Sequence, residues 1–167
     1  MSEVVDQDDS PLFAYGTLRL AAVLHPLIGR ELRSSAAWLP GYAPFQLRGT
    51  PYPAVRPLRG AVTPGSLYSG LNSRQWQQLD HYEGVRYRRR LLRIIPHAGS
   101  TAVTAWVYLL APTCRGQLSQ EPWQISHFMQ RRHQRQPLSV PKTNSQASWN
   151  RSCLNPASIP ATSRSFC

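Results

Sequence analysis

Apolar residues along this chain change rhythm several times. Leu12, Phe13 and Ala14 make a short continuous apolar run, which predicts a buried strand starting near Pro11. From Leu18 to Leu27 the apolar positions Leu18, Ala21, Ala22 and Leu24, continued by Ile28, keep helical spacing, and Gly29 is placed to stop a helix. Turn-forming pairs then crowd the chain: Pro40-Gly41, Arg48-Gly49-Thr50-Pro51 and Pro64-Gly65. The apolar stretches between them, Tyr52 to Val55 and Ser66 to Leu71, predict short strands of a meander. Ser73 is an N-cap candidate for a helix carrying Trp76, Leu79 and Tyr82, which Gly84 is placed to end. Tyr87 to Ile95 and Val103 to Leu110 read as strands joined by a loop from Pro96 to Ser100. A last helix is expected from about Glu121 to Arg132, with Trp123, Ile125, Phe128 and Met129 as its apolar contacts.

Strands first, a short helix in the middle and another at the end describe an α+β domain. At 167 residues the chain has the length of one domain with a full hydrophobic core. That domain is expected over residues 11–136. Residues 1–10 form an acidic lead, expected to be disordered. From Pro137 onward the texture changes to seven serines and four prolines with no acidic residue. Trp149, Ile159 and Phe166 are too isolated to build a core there, so residues 137–167 are expected to be a disordered, basic Ser/Pro-rich tail.

The net charge of +11 comes almost entirely from 18 arginines against a single lysine. Such a balance attracts anions, but no zinc finger, basic helix or RNA-binding aromatic pattern accompanies it, so no specific nucleic-acid partner is expected. In the run from Arg86 to Arg93, strand alternation puts Arg88 and Arg90 on one face and Tyr87, Arg89 and Leu91 on the other, which reads as a solvated strand face. No apolar run of about 18 residues occurs, so no membrane partner is expected. The acidic N-terminus lacks the features of a secretory or transit peptide, and a cytoplasmic location is the expectation. Cys114, Cys153 and Cys167 and the five histidines are scattered without zinc-ligand spacing, so no metal is expected.

Two segments offer chemistry. In Tyr15-Gly16-Thr17-Leu18, a glycine follows a strand and precedes a helix. Amides at such a junction can hold a carboxylate or an oxyanion. The simpler reading is a tight turn with Thr17 as N-cap. In Leu79-Asp80-His81-Tyr82-Glu83-Gly84, Glu83 is a candidate proton acceptor in a chain with only four acidic residues after Ser10. The simpler reading makes it a surface residue paired with Arg86 or Arg88. No G-x-S-x-G, Walker A or G-x-G-x-x-G motif is present.

Taken in order, Leu12-Phe13-Ala14-Tyr15-Gly16-Thr17-Leu18-Arg19, Tyr52-Pro53-Ala54-Val55, Val62 through Gly65 to Leu67-Tyr68, Leu79 to Gly84 with Tyr87-Arg88-Arg89, and Ala105-Trp106-Val107-Tyr108 resemble the gamma-glutamylcyclotransferase-like superfamily. The resemblance is strongest to its avirulence-induced-gene-like and gamma-glutamylamine cyclotransferase branch and covers residues 11–133. It implies a small, mixed, partly closed β-barrel flanked by helices. It implies release of 5-oxoproline from a gamma-glutamyl small molecule, by attack of the substrate's own α-amine, without metal or cofactor. It makes Tyr15, Gly16, Thr17 and Leu18 the substrate cradle and Glu83 the proton acceptor and donor. A non-catalytic ligand-binding or regulatory domain on the same fold is the alternative. The leaving amine and the oligomeric state stay open.

Overall fold

The structure, a computed structural model, describes residues 10–96 and 101–134. The expectations for the acidic lead and the basic tail fall outside these residues.

Strand β1 (Leu12–Ala14) leads through a three-residue 3-10 turn (Thr17–Arg19) into helix α1 (Ala21–Ile28). Two long strands follow, β2 (Ser34–Leu47) and β3 (Pro53–Tyr68), then α2 (Ser73–Glu83), β4 (Tyr87–Pro96), β5 (Val103–Leu110), β6 (Leu118–Pro122) and α3 (Ile125–Gln134). Hydrogen bonding orders the strands β3-β1-β5-β4-β2-β6, and β2 also pairs with β3. That extra pairing closes β1, β3, β2, β4 and β5 into a five-stranded ring and leaves β6 as an appendage on β2. The ring is mixed, since β1 runs parallel to β5 and antiparallel to β3. Its seams are uneven: β2 and β3 register over most of their length, whereas β2 meets β4 only at Ala37–Pro96 and Trp38–Ile95.

Alternation along β1 divides the core in two. Phe13, followed by Tyr15, packs inside the barrel with Ala37, Leu39, Val55, Ile94, Ala105 and Val107. Leu12 and Ala14 face outward, where Leu24 and Ile28 of α1 and Trp76 and Leu79 of α2 cover them. A strand buried on both faces has no polar side, which is why residues 12–14 read as a continuous apolar run.

Three expectations need correction. The segments read as short meander strands are parts of one hairpin, and Pro40-Gly41 and Pro64-Gly65 lie inside its strands. Pro40-Gly41 marks a bulge, where the pairing register shifts between Pro40 and Tyr42. Gly65 sits beneath β1: a Cβ there would come 2.4 Å from the Phe13 ring, so only glycine admits that close approach. Only the Arg48–Pro51 turn lies between strands as expected. Second, Asn72 rather than Ser73 caps α2, forming a reciprocal capping box with Gln75. Third, residues 118–122 form β6, and α3 starts later than expected, at Ile125. The five-residue β6 is mostly polar and exposed, so no apolar period signals it.

Candidate functional site

Where β1 ends, the chain passes Tyr15 and Gly16 and curls into the 3-10 turn. The turn's own bonds are Arg19 N–H to the Gly16 carbonyl (3.1 Å) and Leu20 N–H to the Thr17 carbonyl (3.0 Å). The N–H groups of Thr17 and Leu18 therefore head the turn with no acceptor inside it. Gly16, not Thr17, is the N-cap residue, and no side chain caps the turn. An α-helix does not begin until Ala21, so the anion-holding capacity here belongs to local amides rather than to the dipole of α1. Gly16 lies hard against Pro53, and a Cβ on it would sit 2.8 Å from Pro53 Cγ. The Tyr15 hydroxyl donates to the Tyr108 carbonyl at 2.8 Å, which ties the start of the turn to β5.

Glu83 is the last residue of α2. Gly84 follows with φ of 64°, a left-handed value that glycine adopts without strain, and its N–H closes the helix on the Asp80 carbonyl. Asp80, one turn earlier, accepts two bonds from Arg89 of β4 (Nε and Nη2, both 2.8 Å) and one from the Tyr108 hydroxyl (2.7 Å). The Arg89 guanidinium also lies 4.6 Å from the Trp76 ring centroid and 5.0 Å from that of Trp106. This clamp ties α2 to β4 and β5 one turn before Glu83. Glu83 is buried, with 9% of its surface exposed.

The elements meet around a cleft of about 370 Å³, part of it open to solvent. Phe13 through Leu18 form one wall, and Tyr52, Pro53, Glu83, Tyr87 and Tyr108 form the other. All five site residues expected from the sequence, Tyr15, Gly16, Thr17, Leu18 and Glu83, thus line one space. The phenols around it are held neutral. Burial raises the pKa of Tyr15, Tyr52, Tyr82 and Tyr87 above the ordinary tyrosine value, and the charge of Glu83 raises each further. Tyr108 is raised by burial and then by its bond to Asp80. Tyr87 donates to the Pro53 carbonyl at 2.8 Å, bracing the cleft wall from β4. The site is a small slot with five aromatic rings in its walls, holding one carboxylate and a turn of amides.

This geometry can be set against known proteins. Residues 12–126 match the family described as gamma-glutamyl cyclotransferase, AIG2-like. The chain belongs to that family. AIG2-like protein B of Arabidopsis thaliana is 25% identical over 132 residues, covering 74% of this chain and 77% of the relative. Among solved structures, an Arabidopsis thaliana protein determined in solution superposes with a TM-score of 0.61 at 20% identity, covering 93% of this chain and 95% of the other. A protein named gamma-glutamyl cyclotransferase superposes with a TM-score of 0.51 at 17% identity, covering 63% of this chain and 73% of the other. The structural likenesses show that the AIG2-like chain has the mixed five-stranded barrel of its family.

Sequence reasoning did not assign Tyr52, Pro53, Tyr87 or Tyr108 to the site, although each lies in a segment that carries the family resemblance. Their signal was weak because a residue's face on a strand has no meaning until the barrel closes. Cys114, in the 3-10 helix Pro112–Gln117 that follows β5, is buried, 1% exposed, and its Sγ lies 3.8 Å from Thr113 Oγ1. Among the described residues no three His, Cys, Asp or Glu side chains gather to hold a metal. No helix among them is long and apolar enough to cross a membrane.

Proposed function

We propose that this chain is a gamma-glutamyl cyclotransferase that releases 5-oxoproline from a gamma-glutamyl compound, with Glu83 moving the protons. The observation that carries the reading is the convergence of one buried carboxylate and the Tyr15–Leu18 turn on a single cleft. Family membership supports the reaction type.

In this mechanism the Gly16–Leu18 amides hold the gamma-glutamyl half of the substrate. Glu83 accepts a proton from the α-ammonium group, freeing its lone pair. That nitrogen attacks the γ-carbonyl carbon, forming the ring C–N bond while the carbonyl π electrons move to oxygen. Collapse of the tetrahedral centre restores the carbonyl and breaks the bond to the leaving nitrogen, which takes a proton from Glu83. The ring nitrogen keeps one hydrogen, and its remaining proton goes by way of solvent to the departing amine. Glu83 ends as the carboxylate it began as. Because the nucleophile is tethered to the electrophile, holding the substrate chain in a folded shape supplies much of the rate enhancement, up to about 7–11 kcal/mol in favourable intramolecular reactions. The aromatic walls, with their neutral phenols, add no competing base.

The test is a 5-oxoproline release assay on the purified chain across gamma-glutamyl dipeptides, glutathione and gamma-glutamyl amines. Turnover of at least one substrate, lost in Glu83→Gln, supports the reading. Absence of release from the whole panel would leave a binding domain on this fold.

A further inference from the structure

Helix α3 carries a guanidinium that the reaction above does not use. Trp123 fixes the approach of the helix: its Nε1 donates to the Pro51 carbonyl at 2.9 Å and its backbone N–H to the Pro44 carbonyl at 3.0 Å. Phe128 then packs at 6.3 Å from the Trp123 ring and 6.2 Å from the Tyr52 ring, and Tyr52 is part of the cleft wall. Arg132 follows Phe128 by four residues, so it lies on the same face of α3. Its Nη2 is buried and has no hydrogen-bond partner among the described residues. A buried donor left without an acceptor is costly, and a guanidinium's planar fork matches the two oxygens of a carboxylate. The Arg132 charge also acts on the hydroxyls of Tyr52 and Tyr82, two of the tyrosines that feel Glu83, so the guanidinium and the carboxylate share neighbours.

These positions divide the labour around the substrate. The turn amides take the glutamyl half and Glu83 takes its protons. What remains is the departing amine, and α3 brings a positive charge toward Tyr52 of the cleft wall. We propose that Arg132 binds a carboxylate on the leaving amine, so that the substrates are gamma-glutamyl amino acids or peptides rather than gamma-glutamyl derivatives of amines that lack an acid group. This rests on the cyclotransferase reading of the cleft. A cationic leaving group, such as a lysine side chain without a nearby carboxylate, meets repulsion from the same guanidinium.

The experiment compares two substrates that differ only in that group, gamma-glutamyl-alanine and gamma-glutamyl-alaninamide, with wild type, Arg132→Gln and Arg132→Lys. The readout is the ratio of their kcat/KM values, which cancels any general loss of folding or activity. A charge-assisted bond to a carboxylate makes the ratio fall by about 10- to 100-fold in Arg132→Gln. Arg132→Lys, which keeps the charge but not the fork, is expected to recover part of the ratio. An unchanged ratio in Arg132→Gln overturns the proposal. So does an equal loss on both substrates, since that places Arg132 on the glutamyl half they share. If wild type turns over neither compound, the wider panel above decides the cyclotransferase reading separately, and calorimetric Kd values for the same pair decide the role of Arg132. A preference for the acid that vanishes in Arg132→Gln upholds it, and equal affinities overturn it.

Discussion

Asp80 and Glu83 stand one turn apart on α2, and their surroundings are opposite. Asp80 is locked: three donors from Arg89 and Tyr108 converge on its two oxygens, while part of the side chain stays exposed. Glu83 is the more deeply buried of the two and opens onto a cleft lined by aromatic rings and turn amides. The same residue chemistry thus does two jobs. The outer carboxylate holds the helix to the barrel, and the inner one lines the cleft. Tyr108 joins the two regions, since its hydroxyl bonds Asp80 while its carbonyl receives the Tyr15 hydroxyl.

Substitutions can separate these jobs. Glu83→Gln is expected to have the largest effect, lowering kcat by about 10²- to 10⁴-fold, the usual worth of a general acid–base group. Its unfolding free energy should fall by no more than about 1–3 kcal/mol, since the amide keeps the size of this buried side chain and loses only its charge. Substantial remaining activity would mean that another group moves the protons.

Alkaline pH is expected to strike both regions together. Tyr15, Tyr82, Tyr87 and Tyr108 have folded-state pKa values raised above the ordinary value of 10, so the folded protein keeps phenols neutral that the unfolded chain ionises. Their stabilising contribution is therefore complete below about pH 10 and is lost as pH rises beyond it, by up to about 1.4 kcal/mol per pH unit for each retained proton. Denaturation midpoints at pH 8, 10 and 11 check this. A flat profile would show that these phenols titrate as they do in the unfolded chain.

Asp80→Asn is expected to act on stability more than on turnover. Loss of the charge from a bidentate, partly exposed pair should cost about 1–2 kcal/mol of stability. Turnover should fall less than about tenfold, because an amide can still accept from Tyr108 and hold Glu83 near its place. A larger drop in activity than in stability would put Asp80 into the chemistry and dissolve the distinction. The mildest change is Tyr108→Phe, which removes one bond to Asp80 and keeps the ring in the cleft wall. It is expected to cost about 1 kcal/mol, read from chemical denaturation.

The sequence displayed the strands flanking the site because they are apolar and short, and it displayed α2 through its stop at Gly84. It misread the hairpin because five prolines, Pro40 and Pro44 in β2 and Pro53, Pro57 and Pro64 in β3, look like breakers. In the fold they are absorbed: the Pro44 carbonyl still accepts from Trp123, and Pro64 sits opposite Trp38 in register. The turn and the carboxylate of the site could be named from local motifs. The aromatic walls could not, because Tyr52, Tyr87 and Tyr108 come from three separate segments whose meeting depends on how the ring closes. Arg132 was hidden by abundance, as one of 18 arginines with no local feature to mark it.

The three-residue strand β1 is the stave between β3 and β5, and the candidate cradle begins in the residues that follow it. The β2–β3 hairpin joins neighbours in sequence, whereas β1 must find Tyr68 and Trp106, more than fifty residues away. Local pairings form quickly and distant ones slowly. The cleft is therefore expected to be the last part of the molecule to mature, so that a chain with its hairpin in place but its barrel open has no site at all. In refolding experiments the recovery of ligand binding should lag behind the recovery of β-structure, and simultaneous recovery would show that barrel and cleft assemble in one step.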